Sequence, residues 1–195
     1  MLSHARDTDG LVVDVGAHGG RQTLTALKYG RRVLAIDCLH EAYAENLQRL
    51  SMHRNLTLVK LCAGASVRLA KLHLAQDSSS LSESMIWATM RKVNAHRKDA
   101  GRRAESVLVV PLDAFITEPV AGVKIDVQGA EGEVFEGMRR ILSDHRPAIM
   151  FEEQTGGSTA LESKYLRPLG YRCDVYHLPI GTDKVCFIPG RHASV

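Results

Sequence analysis

The sequence contains no apolar run near the roughly 20 residues that a membrane-spanning helix requires, which argues against a helical membrane protein. The first ten residues include His4, Arg6, Asp7 and Asp9, so they do not form a secretory signal peptide. No internal repeat or long linker interrupts the 195 residues, a length typical of one domain. We therefore expect a single domain, residues 1–195, located in the cytoplasm and not attached to a membrane.

The sequence also lacks the cysteine and charge patterns of many metal-binding and nucleic-acid-binding proteins. None of the four cysteines forms a CxxC pair, and no histidine pair has zinc-finger spacing. Three of the four lie in apolar stretches, which predicts reduced, buried thiols. The net charge is only +3, so electrostatics alone do not call for a nucleic-acid partner.

Short apolar runs alternate with helix-patterned segments along most of the chain. The runs predicted as strands are 11–15, 32–37, 56–61, 107–110, 122–127 and 147–151, and the predicted helices are 21–29, 41–50, 131–142 and 159–169. This alternation is typical of an α/β domain with a parallel sheet. The last two predicted strands, 171–176 and 184–188, flank a turn-rich segment, which predicts an antiparallel hairpin.

Residues 65–105 interrupt this alternation and are predicted to be an insertion near the site of a substrate, here called the acceptor. Apolar and charged residues alternate over 67–74, which predicts exposed strands of a hairpin, whereas residues 84–98 have a helical pattern. The serine run 78–80 and the apolar residues Met85, Ile86, Trp87 and Met90 either line an acceptor pocket or pack onto the domain. The basic stretch 91–103 is either a solvated face or attracts an acidic acceptor.

A glycine-rich turn follows the first predicted strand. It consists of Asp14, Val15, Gly16, Ala17, His18, Gly19 and Gly20. Its glycines let the backbone approach a ligand closely. The dinucleotide fingerprint GxGxxG requires a second glycine where this chain has His18. The turn therefore fits S-adenosylmethionine, whose positive end Asp14 could face, better than a nicotinamide dinucleotide; the alternative is a plain turn between a strand and a helix.

Acidic and small residues end the next two predicted strands. A carboxylate at Asp37 can accept hydrogen bonds from both hydroxyls of a ribose, although it could instead cap the following helix. Its neighbour Cys38, together with Cys62 and Ala63 after the third strand, is expected to line the adenosine site. A doubly wound sheet binds its ligand at the carboxyl ends of its strands, so these residues predict one cofactor site.

Carboxylates in the second half of the chain are the candidates for catalysis. Asp126 ends a predicted strand and is expected to point into the crevice of the reactive methyl group. Glu131 opens the next helix and is either a proton acceptor or an acid that satisfies the helix dipole. Asp126, Glu131, Glu152 and His18 could each take a proton from an alcohol. Asp126 and Glu152 could alternatively hold a divalent cation, but we predict no metal site.

Three blocks of the sequence resemble the FkbM family of methyltransferases. The blocks are 12–20, 123–131 with Gly137 after it, and 147–152; Leu112 and Asp113 match as well, and the resemblance covers roughly residues 11–190. It implies a Rossmann-like class I methyltransferase fold, with a mostly parallel seven-stranded sheet, helices on both faces and an antiparallel C-terminal hairpin. It also implies S-adenosylmethionine as cofactor, held by Asp14, Gly16, Asp37 and Asp126, and O-methylation of a small hydroxylated acceptor such as a sugar or natural product.

The chain departs from the family in two places. His18 stands where the family often has Asn. The chain also begins only ten residues before the first strand, so the segment that often covers the active site is expected to be very short or absent.

Two other functions stay open. One is a nucleic-acid methyltransferase that uses the basic stretch, although residues 126–129 lack the Asn/Asp-Pro-Pro-aromatic motif of amino-methylating enzymes. The other is a non-catalytic module for cofactor binding or dimerisation. The oligomeric state, including a homodimer, is likewise open.

Overall fold

The computed structural model describes residues 9–76, 86–89, 103–152, 158–178 and 181–191. The strands are β1 Leu11–Val15, β2 Val33–Asp37, β3 Leu56–Lys60, β4 Cys62–Ala63, β5 Arg68–Gln76, β6 Ile86–Thr89, β7 Arg103–Val110, β8 Val120–Ile125, β9 Ala148–Glu152, β10 Arg172–Leu178 and β11 Gly181–Phe187. The α-helices are α1 Arg21–Lys28, α2 His40–Leu50, α3 Glu131–Glu136 and α4 Ser158–Leu161. A π-helical turn, Ile141–His145, follows α3, and α4 continues through Glu162–Leu166 and Arg167–Leu169.

Seven strands form the main sheet in the order β10-β11-β9-β8-β1-β2-β3. The pairs from β9 to β3 are parallel, whereas β11 is antiparallel to both β9 and β10. Strands β1 and β8 are buried along their whole length, as expected for central strands covered on both faces. The predicted mostly parallel sheet with an antiparallel C-terminal hairpin is confirmed.

The largest cluster of the core lies between the sheet and the helices of the second half. Phe135 of α3 is fully buried, with its ring edge-to-face with Phe151 at 5.4 Å and stacked with Tyr165 at 5.4 Å between centroids. Asp113 fixes the helical segment that follows α3, because its carboxylate accepts the backbone N–H groups of Arg140 at 2.7 Å and Ile141 at 3.0 Å. Within the described residues, no helix is long and apolar enough to cross a bilayer.

A second sheet, in the order β4-β7-β5-β6, lies outside this parallel arrangement. Strand β5 pairs antiparallel with both β6 and β7, which agrees with the exposed strands expected from residue 67 onward. The helix predicted over 84–98 is wrong at Ile86–Thr89, which pair as β6 with β5. The β-branched and aromatic residues of that segment favour a strand once a partner strand is available. Met85, Met90 and the serine run 78–80 lie outside the described residues.

The cysteines were predicted to be reduced, and this prediction is wrong. Cys38 pairs with Cys62, and Cys173 pairs with Cys186, so the chain has no free thiol. The reason is topological. Cys38 follows β2 and Cys62 opens β4, with their Cα atoms 4.9 Å apart. Cys173 and Cys186 are register partners on β10 and β11, with Cα atoms 4.0 Å apart.

Removing the disulfide between Cys38 and Cys62 should destabilise the fold. It joins positions 24 residues apart, and closing a loop of this order stabilises a protein by about 3 kcal/mol. We expect the double variant C38S/C62S to lose about that much free energy of unfolding, measured by urea denaturation. Four reactive thiols in the denatured, unreduced wild-type protein would contradict both disulfides.

Candidate active site

The candidate site lies at the carboxyl ends of β1, β2, β8 and β9. Strand β1 is paired with β2 on one side and with β8 on the other, so the strand order reverses at β1. In open α/β sheets a ligand binds in the crevice outside the strands at such a switch point. The loop of residues 16–20, here called the glycine loop, follows the end of β1 at this place.

Gly16 begins the glycine loop in a conformation that requires glycine. Its φ is +74°, and a Cβ atom would lie 1.8 Å from the carbonyl oxygen of Asp126. Its N–H donates to the carbonyl of Ile36 at 2.9 Å. Any side chain at Gly16 would therefore push β8 away from β1. His18 also has a positive φ, +43°, a region in which Asn and His are enriched. This explains how His can stand where the family often has Asn.

Three side chains hold the carbonyl groups of the glycine loop. Lys124 donates to the Gly16 carbonyl at 2.7 Å, Asn46 of α2 donates to that of His18, and Arg49 donates to that of Gly19 at 3.1 Å. Asn46 is almost fully buried, and an amide at such a position needs a hydrogen-bond partner. These three residues were not predicted from the sequence, because they have no recognisable spacing from the loop.

Asp14 is connected to the glycine loop through Lys124. Its side chain is 3% exposed; one carboxylate oxygen accepts the Thr23 hydroxyl at 2.6 Å, and the other lies 3.3 Å from the ammonium group of Lys124. Strand alternation explains this position, because Asp14 points away from the face that carries Val13 and Val15. The sequence predicts that Asp14 faces the positive end of a ligand, but such a buried carboxylate has almost no surface for that contact. We therefore assign it to loop support.

Asp37 links the end of β2 to the glycine loop. Its two carboxylate oxygens accept the backbone N–H groups of His18 and Leu39, each at 2.8 Å. The bond to Leu39 lies just before α2 and does not cap that helix, and the bond to His18 brings the carboxylate to the loop. Burial raises the pKa of Asp37, and the two amide hydrogen bonds offset only part of that rise.

The cysteines and the small residue expected on the adenosine side lie beside Asp37. Cys38 is half-buried, and its disulfide partner Cys62 is buried together with Ala63. The disulfide therefore ties the end of β2 to the start of β4, on the side where the adenosine moiety was predicted.

Asp126 and Glu152 are brought together by Gln128. The side-chain N–H groups of Gln128 donate to Asp126 at 2.9 Å and to Glu152 at 3.2 Å. Gln128 has a φ of +54°, unusual for a residue other than glycine. The Asp126 side chain is 40% exposed and lies 3.5 Å from the Lys124 ammonium group. Asp126 is thus an accessible carboxylate beside the glycine loop.

Glu131 holds the loop between β8 and α3. It is buried, and one of its carboxylate oxygens accepts the N–H of Gly129 at 3.0 Å and that of Val127 at 3.4 Å. A carboxylate committed to two backbone amides is suited to positioning the loop. This geometry favours the structural alternative over the catalytic role for Glu131.

Asp183 of β11 was missed by the sequence analysis. It is the register partner of Glu152 across the antiparallel pair. Burial raises its pKa, and the nearby charge of Asp126 raises it further. The only sequence signal is its place just after the hairpin turn. Among the described residues, no group of three or more His, Cys, Asp or Glu side chains is arranged to hold a metal ion.

Three features define a Rossmann-like methyltransferase. They are the glycine loop after β1, the carboxylate of Asp37 at the end of β2 and the carboxylate of Asp126 across the switch point. The methyltransferase FkbM domain matches residues 14–173 of the chain. The chain therefore belongs to the FkbM methyltransferase family, as the three sequence blocks predicted. This membership implies S-adenosylmethionine as the cofactor.

Solved structures of other methyltransferases share the fold. The FkbM methyltransferase of Methylobacillus flagellatus has a TM-score of 0.62 and 18% identity; the match covers 91% of this chain and 43% of that one. An rRNA methylase of Streptococcus thermophilus has a TM-score of 0.53, 16% identity and coverages of 95% and 92%. SMU.1697c of Streptococcus mutans, solved in complex with SAH, has a TM-score of 0.52, 12% identity and coverages of 95% and 94%. No curated protein sequence matches the chain.

Replacing Asp37 should weaken cofactor binding and change its pH dependence. A hydrogen bond to a charged group contributes about 1.5–3 kcal/mol, so D37N should lower the affinity for S-adenosylhomocysteine by about 10- to 150-fold at neutral pH. Because the pKa of Asp37 is raised, this carboxylate takes up its proton at a higher pH than an ordinary aspartate. The wild-type affinity should therefore fall on acidification, and D37N should lack that fall.

Isothermal titration calorimetry at several pH values would test this. D174N, at an exposed aspartate of β10, is the control and should bind like the wild type. Unchanged affinity in D37N would place the ribose elsewhere.

Proposed function

We propose that this chain transfers the methyl group of S-adenosylmethionine to a hydroxyl group of a small acceptor, such as a sugar or a natural product. The observation that carries the proposal is the position of Asp126. Its half-buried carboxylate lies beside the glycine loop and is joined to Glu152 through Gln128. The family resemblance supports oxygen as the acceptor atom.

The residues of the site fit this cofactor. Gly16 has no side chain, so the backbone can approach a ligand at the end of β1. Asp37 provides a carboxylate at the end of β2, the position at which such sheets bind ribose hydroxyls. Asp126 provides a negative charge where a sulfonium group would lie. When bound, the cofactor supplies an electrophilic methyl group.

Positioning and proton removal are the two tasks left to the chain. Holding both reactants in line can supply much of the rate, and the glycine loop is fixed for that purpose by Lys124, Asn46 and Arg49. We assign the acceptance of the hydroxyl proton to a carboxylate oxygen of Asp126. Glu152 stands next to it as the second candidate, and Glu131 keeps the loop between β8 and α3 in place.

A divalent cation between Asp126 and Glu152 has less support than direct proton transfer. The group that lies between the two carboxylates is the amide nitrogen of Gln128. An amide nitrogen donates hydrogen bonds and is not a cation ligand. The pair is therefore arranged around a hydrogen-bond donor.

The remaining expectations stay predictions. The similarity to an rRNA methylase supports the fold alone, and most of the basic stretch 91–103 lies outside the described residues. RNA as the acceptor therefore gains no support from either. The cytoplasmic location expected from the sequence is weakened by the two disulfides, since disulfides are typical of oxidising compartments.

Replacing Asp126 should reduce methyl transfer more than cofactor binding. The purified protein would be incubated with methyl-labelled S-adenosylmethionine and a panel of sugars, nucleotide sugars and hydroxylated natural products. We expect an O-methylated product, and a turnover lowered by about 10²- to 10⁴-fold in D126N, the usual contribution of a proton acceptor. Affinity for S-adenosylhomocysteine should change far less.

A remote carboxylate serves as the control. Glu118 forms an exposed ion pair with Arg32, so E118Q should keep full turnover. Cofactor binding without methylation of any acceptor would favour the non-catalytic module, and methylation of RNA alone would favour the nucleic-acid alternative.

A further inference from the structure

Lys124 is a buried lysine at the centre of the site. Only 8% of the residue is exposed, and lysine is rarely buried unless its charge is paired. Its ammonium nitrogen lies 2.7 Å from the Gly16 carbonyl oxygen, 3.3 Å from the Asp14 carboxylate and 3.5 Å from the Asp126 carboxylate. A single ammonium group thus contacts the end of β1, the glycine loop and the end of β8.

The sheet itself creates this arrangement. Lys124 of β8 is the register partner of Asp14 of β1. The backbone N–H of Asp126 donates to the Val15 carbonyl at 3.0 Å, which keeps β8 alongside β1 beyond the last paired residues. The glycine loop starts at Gly16, directly after the end of β1. The side chain of Lys124 on β8 therefore reaches the first carbonyl group of the loop.

The three charges do not cancel. Burial by itself would lower the pKa of Lys124, but the carboxylates of Asp14 and Asp126 outweigh it and raise the pKa, so the ammonium group stays charged. Two carboxylates and one ammonium group leave one net negative charge. Asp14 is 3% exposed and Asp126 is 40% exposed, so Asp126 is the member that a ligand can reach.

We propose that Lys124 is a positioning residue of the cofactor site, which fixes the Gly16 carbonyl and neutralises the buried Asp14. The net negative charge of the cluster is thereby left at Asp126, facing the sulfonium end of the cofactor. This proposal rests on the proposed function, because it takes a sulfonium compound as the ligand. It assigns Lys124 no contact with the reacting atoms.

Further titratable or charged groups surround the cluster. They come from α1, the glycine loop and the ends of β2, β9 and β11: Arg21, His18, Asp37, Glu152 and Asp183. Burial raises the pKa of both Asp37 and Asp183, and the charge of Lys124 limits that rise. Without Lys124, Asp37 should therefore take up its proton at a still higher pH.

The test is the affinity for S-adenosylmethionine and S-adenosylhomocysteine between pH 5 and pH 8 in wild type and K124Q. We expect K124Q to bind S-adenosylmethionine at least about tenfold more weakly, since a hydrogen bond from a charged donor to the loop is lost. The fall in affinity on acidification should also move to a higher pH. In K124R, which keeps the positive charge, the affinity should fall at the same pH as in the wild type.

Lys184 provides a matched control. Lys184 lies on β11 and is also buried, with 5% of the residue exposed. Its ammonium group donates to the carboxylate of Glu162, in the segment after α4, at 3.1 Å. K184Q removes a buried lysine from the same sheet but leaves the glycine loop untouched. It should lower the thermal stability while keeping the wild-type affinity and pH dependence. If K124Q does not fold, D14N/K124Q removes both members of the buried pair and should show the same displaced pH dependence.

The outcomes are separable. A folded K124Q with wild-type affinity and pH dependence would overturn the proposal for Lys124 while leaving the proposed function intact. An equal shift of the pH dependence in K184Q would also overturn it, because the shift would then result from lower stability and not from the loss of the contact with the glycine loop. A wild-type protein that binds neither compound would overturn the proposed function and this proposal with it.

Discussion

The buried ammonium group of Lys124 connects the two strands between which the sheet reverses its order. Breaking one side of a buried ion pair leaves an uncompensated charge and typically costs about 3–5 kcal/mol. Asp14, Lys124 and the Gly16 carbonyl therefore constrain one another. The shape of the glycine loop, and the place of Asp126 beside it, follow from this constraint.

Unusual backbone conformations are concentrated around the same cluster. Gly16 approaches the Asp126 carbonyl too closely for any side chain, and His18 and Gln128 both have positive φ values. Such conformations persist only where the surroundings over-determine them, and they are typical of ligand sites. Here Asn46 holds the His18 carbonyl, while the amide of Gln128 spans Asp126 and Glu152. Of the three described residues other than glycine with a positive φ, His18 and Gln128 therefore lie at the site, and Arg146 lies elsewhere.

Local patterns predicted the main sheet well, because a buried parallel strand is an apolar run that ends at a turn. The predicted strand 11–15 coincides with β1, and Asp37 and Asp126 lie where strand ends place them. Contacts between distant segments were not predictable. The pairing of Cys38 with Cys62, the register of Asp183 with Glu152 and the burial of Asp14 under α1 all depend on which strands become neighbours. Strand β6 was mistaken for a helix for the same reason.

The charge of the cluster also bears on the direction of the proposed reaction. Methyl transfer converts the sulfonium cation of the donor into a neutral thioether. The positive charge that the net negative charge at Asp126 would balance is therefore lost in the reaction. A site complementary to the cation holds the donor more tightly than the demethylated product, since only the donor gains the electrostatic attraction. Lys124 keeps this difference moderate, because it reduces two negative charges to one.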